Sequence, residues 1–170
     1  MVAIVFGLPG SGKSYFASRL AHLINAEYIN SDRVRRTFPD NRTYSLNEKV
    51  LVYNKMLARM REMLKENRNL VMDATFYKSD IRRKFINEAK PNEKISFIEV
   101  RANESVISER LKETRADSEA DFEVYKKIKN EWEPLYQDHL ILQSTDDNIE
   151  EMLHIAQSYL HLRNDKRTNK

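Results

Sequence analysis

Residues 7–14 read Gly-Leu-Pro-Gly-Ser-Gly-Lys-Ser, which satisfies G-x-x-x-x-G-K-[S/T], the spacing of a loop that wraps nucleotide phosphates in backbone N–H groups. Gly7, Gly10 and Gly12 are all 3 glycines of the chain, so backbone freedom is concentrated here and absent elsewhere. Without Cβ atoms they can turn their N–H groups inward as an anion nest, beside the positive end of the helix that follows. Lys13 would reach the β- and γ-phosphates and the Ser14 hydroxyl would ligate Mg²⁺. Gly7, Pro9, Gly10, Ser11, Gly12, Lys13, Ser14 and the adjoining Tyr15 form the expected ATP contacts.

Two carboxylates stand at the ends of apolar runs, the edge where ligands bind in open α/β sheets. Tyr28-Ile29-Asn30-Ser31-Asp32 ends in an acid that can accept the proton of an attacking hydroxyl. The bland alternative is that Asp32 or Ser31 caps the next helix, but capping leaves Arg33, Arg35 and Arg36 unexplained. Arg35, one turn on, is suited to hold a phosphate on the acceptor. Asn69-Leu70-Val71-Met72-Asp73 ends in the natural acid for ordering a Mg²⁺ shell, or else in a turn aspartate. Arg110 and Arg115 close a polar helix, where a mobile lid could bring guanidinium groups onto a transferring phosphoryl group. Solvated surface arginines are the alternative.

A phosphate loop alone does not say what happens to the γ-phosphate. A GTPase needs a D-x-x-G switch and an N-K-x-D reader, yet no glycine follows Gly12 and Asn54-Lys55 runs on into Met56-Leu57. A ring-forming ATPase needs more chain for its second, helical domain. A small kinase remains, with ATP as donor, Mg²⁺, and a hydroxyl acceptor that is either a polynucleotide 5′-end or a small metabolite. The rival from another class is a nucleotide-binding regulatory or interaction module that hydrolyses ATP slowly. The four histidines have no metal-ligand spacing and are expected to be structural. Trp132, near Tyr136 and Phe122, is expected to pack the last helices rather than stack a base.

The elements that position these residues follow from hydrophobic periodicity. Strands are expected at 2–6, 27–30, 69–74, 94–100 and 140–143. Helices are expected at 13–24, 45–66, 79–89, 104–115, 119–131 and 148–160. In the longest, Leu46, Val50, Tyr53, Leu57, Met60 and Leu64 form one stripe. Such alternation means a parallel sheet with helices on both faces. At 170 residues the chain holds one domain, 1–162, with a lid at about 103–122 and a basic tail, 163–170, expected to be disordered. Residues 1–90 carry 17 Lys and Arg against 9 Asp and Glu, and residues 91–162 carry 8 against 16. The basic half could face an anionic substrate or simply be solvated helix surface. Cysteine is absent, no apolar run reaches the roughly 20 residues of a membrane span, and no basic leader precedes the first strand. The expected setting is the cytoplasm.

Taken together, these motifs resemble the P-loop kinases related to the polynucleotide 5′-kinases, in the AAA_33 and zeta-toxin-like group. The resemblance rests on Gly7 to Ser14, on Ser31-Asp32-x-x-Arg35, on Asp73-Ala74-Thr75-Phe76 followed by Arg82, and on the run Arg110 to Pro134. It implies a P-loop NTPase with a five-stranded parallel sheet of order 2-3-1-4-5. It also implies Asp32 as general base, Arg115 as the acting lid arginine and Arg110 beside the nucleotide. Arg35, Asp73, Thr75 and Arg82 would then bind the acceptor, with Ser14 and Asp73 on the metal.

Overall fold

The computed structural model describes residues 1–38, 45–89, 95–112 and 120–168. The apolar runs become five strands: β1 (Val2–Phe6), β2 (Glu27–Asn30), β3 (Leu70–Ala74), β4 (Ile95–Arg101) and β5 (Leu140–Gln143). All pair in parallel, in the order β2-β3-β1-β4-β5 that the resemblance implied. Parallel pairing forces every connection to return the chain to the starting edge, which helices do by packing across a face of the sheet. They are α1 (Lys13–Leu23), α2 (Ser31–Arg35), α3 (Leu46–Lys65), α4 (Ser79–Glu88), α5 (Glu104–Lys112), α6 (Phe122–Asn130) and α7 (Ile149–Thr168).

The period of two along each strand divides the core into two layers. Val2, Ile4 and Phe6 pack with Leu70 and Met72 against Val52, Met56, Met60 and Met63 of α3. Ala3 and Val5 face the other way, onto Phe16 and Leu20 of α1 and Met152 and Ala156 of α7. Strand β1 lies at the centre, sealed on both faces. The loop that follows Phe6 is therefore carried by the least deformable part of the fold.

The stripe on α3 differs from the sequence expectation. Val50 is 49% exposed, while Val52, Met56, Met60 and Met63 are buried to within 1%. The helix carries two overlapping apolar rows, and the row that meets the broad face of β1 and β3 wins; Leu57 and Leu64 flank it. Helix α7 runs to Thr168, past its expected end near Leu160. Its last residues contain neither glycine nor proline to end it. Trp132 packs on the sheet and not between the last helices, its ring stacked on Phe6 at 5.9 Å. His139 is structural, lying between Gln137 O and the buried Glu99 carboxylate.

Arg82 also departs from expectation. It is 2% exposed, and its guanidinium donates to the carbonyls of Phe76 at 2.6 Å, Glu133 at 2.7 Å and Pro134 at 3.1 Å. It does not reach an acceptor site, because all three contacts clamp the turn after β3 to the segment before β5. One clamped residue, Phe76, holds a left-handed φ of 43°, a conformation that costs a non-glycine residue about 1–2 kcal/mol. Its N–H donates to Tyr53 Oη at 3.3 Å, so both backbone groups of the strained residue are tied. Replacing Arg82 by methionine would leave these carbonyls without their donor. The expected result is a loss of about 3 kcal/mol or more in urea unfolding. A loss below about 1 kcal/mol would show that the clamp is not structural.

Candidate functional site

The loop between β1 and α1 is built against the ends of its neighbours. A Cβ at Gly7 would stand 2.3 Å from the Val100 carbonyl oxygen, so the chain passes β4 at a distance only glycine allows. Gly12 ends the loop at a left-handed φ of 87° as the N-cap of α1, and no side chain caps that helix. The first N–H groups of α1 are thus left for an external anion, in the field of the helix dipole. Lys13 starts α1, its Nζ 3.5 Å from Leu8 O on the facing limb of the loop. Ser11 turns its hydroxyl away, burying it beneath the loop beside Val100 and Trp132, so only its backbone is available to a nucleotide.

Behind the loop lies a buried acid. Asp73 is 0% exposed and sits in register between Val5 of β1 and Asn30 of β2. One of its oxygens, Oδ2, accepts from Tyr28 Oη at 2.7 Å and from Asn30 Nδ2 at 2.6 Å. Burial first, and then the charge of Asp73, push the Tyr28 phenol far above its ordinary range, which keeps the donated proton in place. The other oxygen, Oδ1, is buried with no hydrogen-bond partner among the described residues. Asn30 Nδ2 also lies 3.5 Å from Ser14 Oγ, which brings the hydroxyl and the carboxylate to one spot. A carboxylate with one unpartnered oxygen, joined through Asn30 to a hydroxyl, is a donor set for a hard divalent cation that keeps most of its ligands as water and phosphate oxygens. Among the described residues no cluster of three or more acids and histidines competes for a metal.

Asn30 does more than hold Asp73. Its Oδ1 accepts from the N–H groups of Asp32 and Arg33, both at 3.0 Å, and so caps α2. The cap is therefore Asn30, not Asp32 or Ser31, and the Asp32 carboxylate is left for other work. It lines a cleft of about 280 Å³ together with Pro9, Lys13, Arg35, Tyr53 and Thr75. Burial, joined by the charge of Asp73, raises the Asp32 pKa above the ordinary carboxylate value, while Lys13 and Arg35 oppose the rise. Arg35 is less available than the sequence implied: it holds Asp32 Oδ1 at 2.8 Å and Glu48 Oε1 at 2.8 Å. Thr75 reaches the cleft through the strained turn at Phe76, its hydroxyl 3.5 Å from Tyr53 Oη.

On the far side of the loop a second cavity of about 280 Å³ is lined by Gly10, Gly12, Lys13, Ser14, Tyr15 and Arg110, with the turn after β5. Arg110 donates to Ser144 Oγ at 3.1 Å, Thr145 O at 2.8 Å and Asp146 Oδ1 at 2.9 Å. That turn, Ser144 to Asp146, is absent from the sequence expectations, as are Lys49, Tyr77 and Lys127 in the first cleft. Its signal was available, since a polar turn at the carboxyl end of a parallel strand is a ligand-binding position. Arg115 and much of the expected lid lie outside the described residues. Lys13 lines both cavities and is the side chain that joins them.

Residues 2–135 match the AAA_33 family model, an AAA domain. Uncharacterized proteins of Mycobacterium tuberculosis and Mycobacterium bovis are 32% identical over 87 residues, which covers 44% of this chain and 18% of theirs. The chain thus spans less than a fifth of the length of the curated relatives it matches. Among solved structures, a sugar kinase from a Janibacter species superposes with a TM-score of 0.72 at 16% identity, covering 94% of each chain. A gluconokinase from Sinorhizobium meliloti gives 0.64 at 18% identity, covering 95% of this chain and 96% of its own. Kti12 from Chaetomium thermophilum, in complex with ADP-AlF₃, gives 0.62 at 17% identity over 93% and 98%. These likenesses establish the fold, the α/β architecture of the P-loop NTPases.

The electrostatics of Asp32 make a stability prediction. A carboxyl whose folded pKa is raised stabilises the fold below its unfolded value, about 3.9, and that contribution is lost as pH rises through the folded value. Ionised Asp32 therefore works against the native state at neutral pH. Asp32→Asn should melt at the wild-type temperature or above it at pH 7–8, with the advantage fading as the pH falls towards about 4. A variant that is clearly less stable at neutral pH would mean that the ion pair with Arg35 outweighs burial.

Proposed function

The chain belongs to the AAA_33 family of AAA domains, and on that premise we propose that it is an ATP-dependent kinase that moves a γ-phosphoryl group onto a hydroxyl held at Asp32. The observation that carries this reading is a carboxylate relieved of capping by Asn30, raised in pKa by burial, and lining one cleft with Lys13. A regulatory nucleotide binder has no use for such a group. The sugar kinase and gluconokinase that share the fold support an alcohol as acceptor. ATP supply makes the cytoplasm the working compartment.

In this reading the nucleotide lies in the cavity beside Arg110 and the turn after β5, with its phosphates drawn over the uncapped start of α1. Lys13 meets the β- and γ-phosphates between the two cavities. Ser14 and Asp73 would hold a Mg²⁺ ion beside the phosphates. When bound, that ion neutralises charge building on the phosphate oxygens. The acceptor enters the cleft on the other side of Lys13. Its oxygen forms the new bond to the γ-phosphorus as the bond from that phosphorus to the β–γ bridging oxygen breaks. ADP leaves with the electron pair, and Asp32 takes the hydroxyl proton. A pKa raised by burial makes Asp32 a stronger base than an exposed aspartate.

Transfer of labelled γ-phosphate to a panel of alcohols tests the reading. With an acceptor in hand, Asp32→Asn should cut transfer by roughly two orders of magnitude or more, the usual scale of general-base catalysis, with ATP affinity within a few-fold of wild type. On the acid side the rate should fall at a pH above the ordinary aspartate range. Slow hydrolysis with no transfer to any alcohol would favour the regulatory module. Transfer at the parental rate in Asp32→Asn would remove the general base.

A further inference from the structure

The walls of the acceptor cleft carry more positive charge than the chemistry above requires. Lys49 on α3 and Lys127 on α6 both line it, and among the described residues neither has a carboxylate partner. Helix α6 supplies the contrast. Lys126 pairs with Glu123 and Lys129 with Glu104, whereas Lys127, the lysine of that helix that lines the cleft, pairs with neither. Lys49 donates to Tyr77 Oη at 3.3 Å, a neutral partner that orients the ammonium without cancelling its charge.

The remaining cations of the cleft are occupied. Lys13 serves the donor phosphates in the reading above, and Arg35 is held between Asp32 and Glu48. Two lysines of like charge, on different helices and lining one small cavity, favour the entry of an anion. Tyr53, Tyr77, Val52 and Ile128 also line it, giving an apolar wall against which a short carbon chain or ring can lie. A volume of about 280 Å³ is at the small end for ligand pockets, which run from about 300 to 1,000 Å³. It suits a metabolite better than the end of a polynucleotide.

We propose that the acceptor is a small anionic alcohol, its hydroxyl at Asp32 and its phosphate or carboxylate group between Lys49 and Lys127. This rests on the kinase reading and adds the substrate class. The anionic group takes no part in bond making. The acceptor oxygen gains the γ-phosphoryl group, ADP departs with the electrons of the broken bond, and the proton passes to Asp32. The lysines fix the far end of the molecule so that one hydroxyl is presented. Arg35 then acts as a positioning residue for Asp32 and not as the phosphate ligand that the sequence suggested.

The test uses the whole chain with matched probes: glycerol against glycerol phosphate, a sugar against its phosphate monoester, a sugar against its aldonic acid, and an oligonucleotide with a free 5′-hydroxyl. Transfer of γ-phosphate is measured for each, and calorimetric titration in the presence of ADP measures binding. The anionic member of at least one pair should be preferred by about tenfold or more in kcat/KM, the scale of a charge-assisted hydrogen bond. The monoester and acid arms identify which anion it is. Lys49→Met and Lys127→Met should each raise the KM for that probe by about tenfold with kcat within about threefold, and Lys→Arg should restore most of the loss. Equal use of neutral alcohols, preference for the oligonucleotide, or an unchanged KM in both methionine variants would overturn the proposal. If nothing is phosphorylated, the kinase reading fails and titration still decides the subsite. Anion binding that disappears in the double variant supports it, and no anion binding by the wild type refutes it.

Discussion

The carboxylate of Asp73 is where β1, β2 and β3 meet, and the site is arranged around the cost of burying it. A carboxylate without water is expensive unless hydrogen bonds replace what is lost. Here Tyr28 and Asn30 both donate to Oδ2, while the equally buried Oδ1 has no partner among the described residues. The asymmetry is set by register: Asn30 lies beside Asp73 across the β2–β3 pair, and Tyr28 reaches in from two residues earlier. Two donors fix the orientation of the group, and both also lie 3.5 Å from Ser14, while Oδ1 is left without a partner among the described residues. A cation at Oδ1 would recover the desolvation cost that the fold leaves unmet.

The same economy of hydrogen bonds releases the second acid. Asn30 offers its nitrogen to Asp73 and its oxygen to the first N–H groups of α2, so one buried amide anchors the Asp73 carboxylate and caps the helix. Asp32, not needed as a cap, pairs with Arg35 in a cleft where burial raises its pKa. Strain plays a comparable part at Phe76, whose left-handed backbone is held by Tyr53 and Arg82. That turn carries Thr75 and Tyr77 into the cleft. Positions in the cleft are thus governed in part by Arg82, which does not line it.

What the sequence disclosed was local. The apolar runs marked the strands to within a residue or two, because a strand buried on both faces leaves no room for polar residues. The loop from Gly7 to Ser14 announced itself through spacing and through the confinement of every glycine to six positions. Asp32 and Asp73 were visible as acids at strand ends. Hidden were the relations between distant segments. Arg82 binds the carbonyls of Phe76, Glu133 and Pro134, contacts up to 52 residues away that no periodicity encodes. Arg110 meets a turn 34 to 36 residues on. The buried row on α3 went to Val52 and Met56 because the facing sheet chose between two apolar rows. Lys49 and Lys127 look like ordinary surface lysines until α3 and α6 are seen to wall one cleft.

The most direct test of this arrangement is manganese binding to the protein–ADP complex, followed by electron paramagnetic resonance, in the wild type and in Asp73→Asn. The asparagine keeps the size of the side chain and removes the charge that meets the cation. The expected result is a loss of at least about tenfold in manganese affinity, with metal-free ADP binding retained. Manganese bound equally well by both proteins would contradict the assignment of the orphaned Asp73 oxygen to the metal, and with it the organising role given to that carboxylate.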